Sequence, residues 1–187
     1  FAHGEYYSET DLAEHILRVF PTVAERETEA LAQRIRELRT QPIQTILYPA
    51  SDFDFIRPLA AAASSGKQTI VGVDLFKGNT DEMIKKGLLN AIANIPHARN
   101  IVMEQKKAVN IDGKNIDKYE VSFDYGEGEK RLVLYRGDVR ELTAQKLEET
   151  RDGYDMYFNH GAPWLYEAMD TSVDLLKEQG IFLYLSI

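Results

Sequence analysis

Ser51, Asp52 and Asp54 share one short loop of this sequence; Asp74 and Asp138 follow, and Asn159 stands beside His160. Carboxylates of this kind accept hydrogen bonds from hydroxyls, and a histidine can take a proton from a substrate hydroxyl or amine while an asparagine orients it. Their positions matter more than their types. Each lies where a short apolar run has just ended.

The runs define the elements. Ile46-Leu47-Tyr48 breaks at Pro49, an alanine-rich helical stretch follows, and Ile70-Val71-Gly72-Val73 stops at Asp74 with Leu75 beyond it. This is strand, turn, helix and strand, with an acid at the second strand tip. In an open parallel sheet such tips hold nucleotide-like ligands, and an acid there can accept ribose hydroxyls. The local alternative for Asp52 and Asp54 is a solvated Asx-turn ahead of a helix, and for His160 a helix entry. Asp52, Asp54 and Asp74 lack the spacing of a metal-ligand set, so no metal is expected.

The rest of the chain continues the alternation. Pro58 suits the first residue of a helix reaching about Ser65, closed by Gly66, and Asn79 with Glu82 suits the cap of a second. That second helix carries Met83, Leu88, Leu89 and Ile92 and stops before Pro96. Ala108–Ile111 and Tyr119–Phe123 flank Asp112-Gly113, a hairpin signal feeding a third main strand at Arg131–Tyr135. A short helix is expected over 143–149, a fourth strand at Tyr154–Phe158, a long helix from Pro163 to Gln179, and a fifth strand at Ile181–Ile187. Ahead of all this, apolar residues at three- and four-residue spacing (Leu12, Ile16, Leu17; Leu31, Ile35, Leu38) predict a helical pair, a cover for the sheet or an oligomer contact.

The expected fold is therefore α/β: a doubly wound, mainly parallel sheet of order 3-2-1-4-5, with an inserted β-hairpin and an N-terminal helical pair. Residues 1–42 form the cover and 43–187 the core of a single Rossmann-like domain.

Composition narrows the partners. The chain has 187 residues, 44% hydrophobic and 28% charged, as expected of one soluble globular domain. A net charge of −8 argues against nucleic acid, and no apolar stretch approaches membrane-spanning length. A small-molecule ligand remains. Cysteine is absent, which removes disulfides and thiol chemistry. A cytoplasmic location is expected, with export after signal-peptide removal as the alternative for a chain beginning Phe-Ala-His-Gly.

With these positions placed, residues 43–187 resemble the S-adenosylmethionine-dependent methyltransferases. Tyr48-Pro49-Ala50-Ser51-Asp52-Phe53-Asp54 occupies the place of that family's first glycine-rich motif, although Ala50, Asp52 and Asp54 stand where glycines are usual. Asp74 matches the ribose-binding acid, with Leu75 beside it. Gly137-Asp138-Val139 is similar to the Gly-Asp pair near the adenine, and Asn159 to Pro163 falls in the catalytic or substrate-orienting segment. Leu175 to Phe182 is similar to the family's last helix and fifth strand.

The resemblance implies S-adenosylmethionine as cofactor, held by Pro49, Ala50, Ser51, Asp52, Asp54, Asp74, Leu75, Gly137, Asp138 and Val139, with His160 and Asn159 acting on an unidentified small acceptor. A catalytically silent module with the same fold is the second expectation. NAD-dependent reduction is disfavoured, since no Gly-x-Gly-x-x-Gly follows any strand.

Overall fold

Four stretches of the chain are buried along nearly their whole length, and they make the centre of the sheet. In the computed structural model, which describes residues 42–62, 66–95, 97–126, 128–160 and 166–185, these are β1 (Thr45–Pro49), β2 (Gln68–Asp74), β6 (Gly128–Arg136) and β7 (Tyr154–His160). Burial on both faces explains why they read as continuous apolar runs. A fifth strand, β8 (Leu176–Leu185), lies beside β7. The five run parallel in the order β6-β2-β1-β7-β8.

Both faces of the sheet are covered. On one, Ile46, Tyr48, Ile70, Leu132 and Phe158 pack against Leu59 and Ala62, at and just past the end of α1 (Ile56–Ala61), and against Ile84, Leu88 and Ile92 of α2 (Asp81–Ala93). The four-residue spacing of those last three turns one stripe of α2 to the sheet, each worth about 1.5–3 kcal/mol when fully buried. On the other face, Leu47, Val71, Val133 and Tyr157 meet Val139, Leu142 and a 3-10 turn at Ala144–Lys146, with Met169 and Val173 of α3 (Tyr166–Val173) alongside.

Beyond β6 the sheet becomes antiparallel. β5 (Lys114–Tyr125) pairs with β6, and β3 (Arg99–Met103) and β4 (Lys107–Ile111) share the far edge of β5. The insertion is thus three strands and not one hairpin. Its β4–β5 turn is the expected one: Asp112 and Gly113 have φ of 52° and 80°, the backbone a tight two-residue hairpin needs. Lys118 of β5 is buried among Glu149 (2.5 Å), Glu148 (3.1 Å) and Glu120 (3.2 Å), tying the extension to the segment after β6. Burial pulls its ammonium toward neutrality, but the hydrogen bond and charge of Glu149 outweigh that and hold it above the ordinary lysine range.

Several local expectations are corrected. Pro58 is the third residue of α1, and the helix ends at Ala61. Thr80, not Asn79, caps α2, its Oγ1 accepting the Met83 N–H at 3.3 Å. Met83 and Leu89 are exposed at 53% and 38%, so they lie outside the apolar stripe. The helix expected over 143–149 is only the 3-10 turn. The long last helix stops at Val173, because the Tyr154 N–H takes the Leu175 carbonyl and Leu176 pairs with Tyr154. Once β7 engages that backbone the helix cannot continue, and β8 starts at Leu176. The N-terminal helical pair lies outside the described residues.

Candidate functional site

The carboxyl ends of β1, β2, β6 and β7 come together, as a parallel sheet requires. Asp74 is the hub. Its Oδ2 accepts the Asp52 N–H at 2.9 Å and its Oδ1 the Phe76 N–H at 3.2 Å. Its main-chain carbonyl accepts the Gly137 N–H at 2.9 Å. One residue therefore ties the tips of β1, β2 and β6.

The loop after β1 is fastened at each step. Pro49 ends the strand in register with Val73, and the Ala50 N–H donates to the Val73 carbonyl at 2.8 Å. Ala50 and Asp52 have φ of 54° and 46°, the left-handed region that favours glycine. An L-residue held there costs roughly 1–2 kcal/mol, so surrounding contacts must impose it. Ser51 is buried and its Oγ donates to the Asp52 carbonyl at 3.1 Å. It fits because β2 has glycine opposite: a Cβ at Gly72 would stand 2.5 Å from Ser51 Oγ. Asp54 Oδ2 accepts from the Tyr48 hydroxyl at 2.9 Å and from Arg57 Nη1 at 2.7 Å. Close approach is thus achieved without loop glycines, by removing side chains from the elements the loop touches.

Electrostatics separates the acids. Burial, then the neighbouring Asp74 charge, raises the Asp52 carboxyl above its ordinary range. Arg140 holds the Asp138 carboxyl below it, through Nε at 3.0 Å and Nη2 at 2.5 Å, with the Arg140 N–H at 2.9 Å. Burial pushes the Tyr48 phenol up, and the Asp54 charge adds to this. His160, the last residue of β7, is lowered by burial and then by the Arg57 charge, against a smaller pull from Asp54. Burial and the Arg57 charge both favour the neutral imidazole over the imidazolium.

The remaining expected positions are distributed around this hub. Leu75 is 53% exposed directly after Asp74, and Val139 is buried in the second core cluster. Asn159 is buried, next to His160. Residues 161–163 of the expected catalytic segment lie outside the described residues. Among the described residues no three His, Asp or Glu side chains are grouped to hold a metal ion. A cavity of about 210 Å3 lies at the other end of the strands, lined by Gln44, Asp155, Lys177 and Gly180 among others. There Asp155 accepts the Gln44 and Thr45 N–H groups, both at 2.9 Å, and pairs with Lys177 at 3.3 Å.

Sequence reasoning missed Gly72, Gly87, Arg57 and Arg136, and it placed Tyr48 and Phe53 in the first motif without their contacts. Arg136 fastens the β2–α2 loop through the carbonyls of Phe76 (3.4 Å) and Asn79 (2.7 Å). A signal existed for two of them, since glycine inside a strand or helix often marks a close approach.

No family model matches the chain, and no curated protein matches it. Among solved structures, the catalytic domain of starch synthase IV from Arabidopsis thaliana, bound to ADP and acarbose, is similar at 11% identity with a TM-score of 0.33. The match covers 77% of this chain and 34% of that one, so this chain spans about a third of that structure's length. At that similarity the neighbour informs neither ligand nor reaction.

Proposed function

We propose that this chain is a Rossmann-like, S-adenosylmethionine-binding protein of methyltransferase type, acting on a small acceptor. The observation that carries the reading is Asp74, an acid at the tip of β2 bonded to the β1 and β6 loops. The parallel order β6-β2-β1-β7-β8, with both faces covered, supports the doubly wound core such a site needs.

The residues fit an adenosine-type group on chemical grounds. An ionised carboxylate has about four acceptor positions, and backbone N–H groups take two of those on Asp74. The remainder can accept ribose hydroxyls. Ala50 and Asp52 depart from glycine in type but adopt glycine-like φ, so the loop has the backbone shape that glycines would give it. Leu75 offers exposed apolar surface beside the acid, and Gly137, whose N–H donates to the Asp74 carbonyl, brings Asp138 next to it in sequence. The cofactor supplies an electrophilic methyl group. The protein's part is alignment of the acceptor, with neutral His160 taking its proton and Asn159 orienting it.

Adenosylmethionine or adenosylhomocysteine at a hundredfold over its dissociation constant should add about 2.7 kcal/mol of stability. We expect a thermal shift with either, lost in Asp74→Ala. No shift with any nucleoside overturns the proposal.

A second reading is a catalytically silent module of the same fold. It is favoured by the internal use of the acids, for Asp54 is held by Tyr48 and Arg57, and Asp138 by Arg140. Retained binding without methyl transfer to any acceptor would select it.

A further inference from the structure

Gly87 stands in the middle of α2, where glycine is a poor helix former and usually marks a packing need. A Cβ there would lie 2.6 and 2.7 Å from Phe53 Cε2 and Cε1, and closer still to Cζ. Phe53 therefore sits directly on the helix backbone. It also meets the Phe76 ring, with centroids 4.8 Å apart. Phe76 donates its N–H to Asp74 Oδ1, and Asp52, the neighbour of Phe53, donates to Oδ2. Both amides that orient the Asp74 carboxylate belong to this aromatic pair or adjoin it.

We propose that Phe53 and Gly87 are positioning residues, whose contact sets the loop at the depth where the Asp52 amide reaches Asp74. Helix α2, on the flank of the sheet, thereby orients the acid at the strand tips. The bonds internal to the loop, Asp54 N–H to the Ser51 carbonyl at 3.0 Å and Ser51 Oγ to the Asp52 carbonyl, do not reach Asp74. The Ala50 N–H bond to the Val73 carbonyl and the seat of Ser51 on Gly72 anchor the start of the loop, and the seat on Gly87 sets the depth of the part that carries Phe53 and the adjoining Asp52 amide. The inference rests on the proposed function for the identity of the ligand, and on the geometry alone for the coupling.

Amide hydrogen exchange in the ligand-free protein tests it. In Gly87→Ala the added methyl displaces the ring, so the Asp52 amide should exchange about tenfold faster while Val71 and Val133 in the central strands keep their protection. Shrinking the ring in Phe53→Leu/Gly87→Ala should return Asp52 to within about threefold of the wild-type rate, which a general loss of stability would not allow. Phe53→Leu alone, which keeps an unchanged helix, should speed Asp52 exchange to a smaller degree. Unchanged Asp52 exchange in both single variants overturns the inference, and so does failure of the double variant to recover.

Titration with adenosylhomocysteine separates this from the ligand reading. Affinity should fall in Gly87→Ala and recover in the double variant. If the wild type does not bind it while the Asp52 amide still responds, the ligand reading fails and the positioning contact stands.

Discussion

Two loops at the same sheet edge are built on opposite principles. The one after β1 is held from outside, by Gly72 beneath Ser51, Gly87 beneath Phe53, Asp74 on the Asp52 amide, and Tyr48 on Asp54. The one after β6, once past the Gly137 bond to Asp74, closes on itself. The Asp138 carbonyl accepts the Glu141 and Leu142 N–H groups at 3.0 and 2.9 Å, and the Asp138 carboxylate takes the Arg140 side chain and N–H. The first loop keeps two residues in left-handed backbone by tertiary contact, whereas the second packs Val139 and Leu142 on the core and pairs Glu141 with Lys114 but draws the hydrogen bonds of Asp138 from neighbours in sequence. A tertiary loop should therefore fail when distant elements change, and a local loop should not.

The largest effect should come from Gly72→Ala. Its Cβ would stand 2.5 Å from Ser51 Oγ and 3.0 Å from Leu134 Cδ1 in a central strand with no room to give. Overpacking of this kind costs about 1–3 kcal/mol, read as a lower urea midpoint. Removing the hydroxyl in Ser51→Ala/Gly72→Ala should recover more than half of the loss, since the nearest clash disappears. An additive double variant would break the comparison, because the loop would then not depend on that seat.

A smaller, pH-dependent effect tests how firmly α2 is moored. Asp81, in its first turn, accepts the Tyr119 hydroxyl of β5 at 2.7 Å and pairs with Lys85 (3.1 Å) and Lys106 (3.3 Å). The Tyr119 hydrogen bond, more than the lysines, lowers its carboxyl to about 2, against the opposing push of burial. A depressed folded-state pKa means that its stabilisation is complete above the unfolded value of about 4 and lost as pH falls toward 2. Asp81→Asn should cost about 1 kcal/mol at neutral pH, discounted for partial exposure, and flatten the stability profile between about pH 4 and 2. Urea midpoints across that range check both. A wild-type profile already flat there would show that Asp81 does not moor α2.

The same contrast explains what could be read without coordinates. The parallel strands were legible because burial on both faces writes continuous apolar runs, and Asp112-Gly113 because its turn chemistry is local. The chemistry-bearing residues at the tips of β1, β2, β6 and β7 followed from where those runs end. β3 was missed because Arg99–Met103 is largely exposed and does not alternate. The last helix was drawn too long because Leu175 and Leu176 suit a helix until β7 pairs with them. Gly72, Gly87 and Phe53 act only as facing pairs, and no spacing along the chain brings such partners together. Asp138, whose partner is two residues away, belongs to the legible kind.

Arg140→Ala should give the smallest effect and marks the other limb of the contrast. The Arg140 side chain is 66% exposed, so its pair with Asp138 is worth about 0.5 kcal/mol and less in high salt. The Asp138 carboxyl should climb back toward its ordinary range once the guanidinium is gone, visible in an NMR titration of that side chain. The loop itself should keep its shape, since the Asp138 carbonyl still holds the Glu141 and Leu142 N–H groups. Exchange at the Asp52 amide should be unchanged if the two loops hold their shapes independently. An Asp52 amide that responds to Arg140→Ala would show that the two loops are coupled through the bond between Asp74 and Gly137. The edge would then have to be treated as one unit.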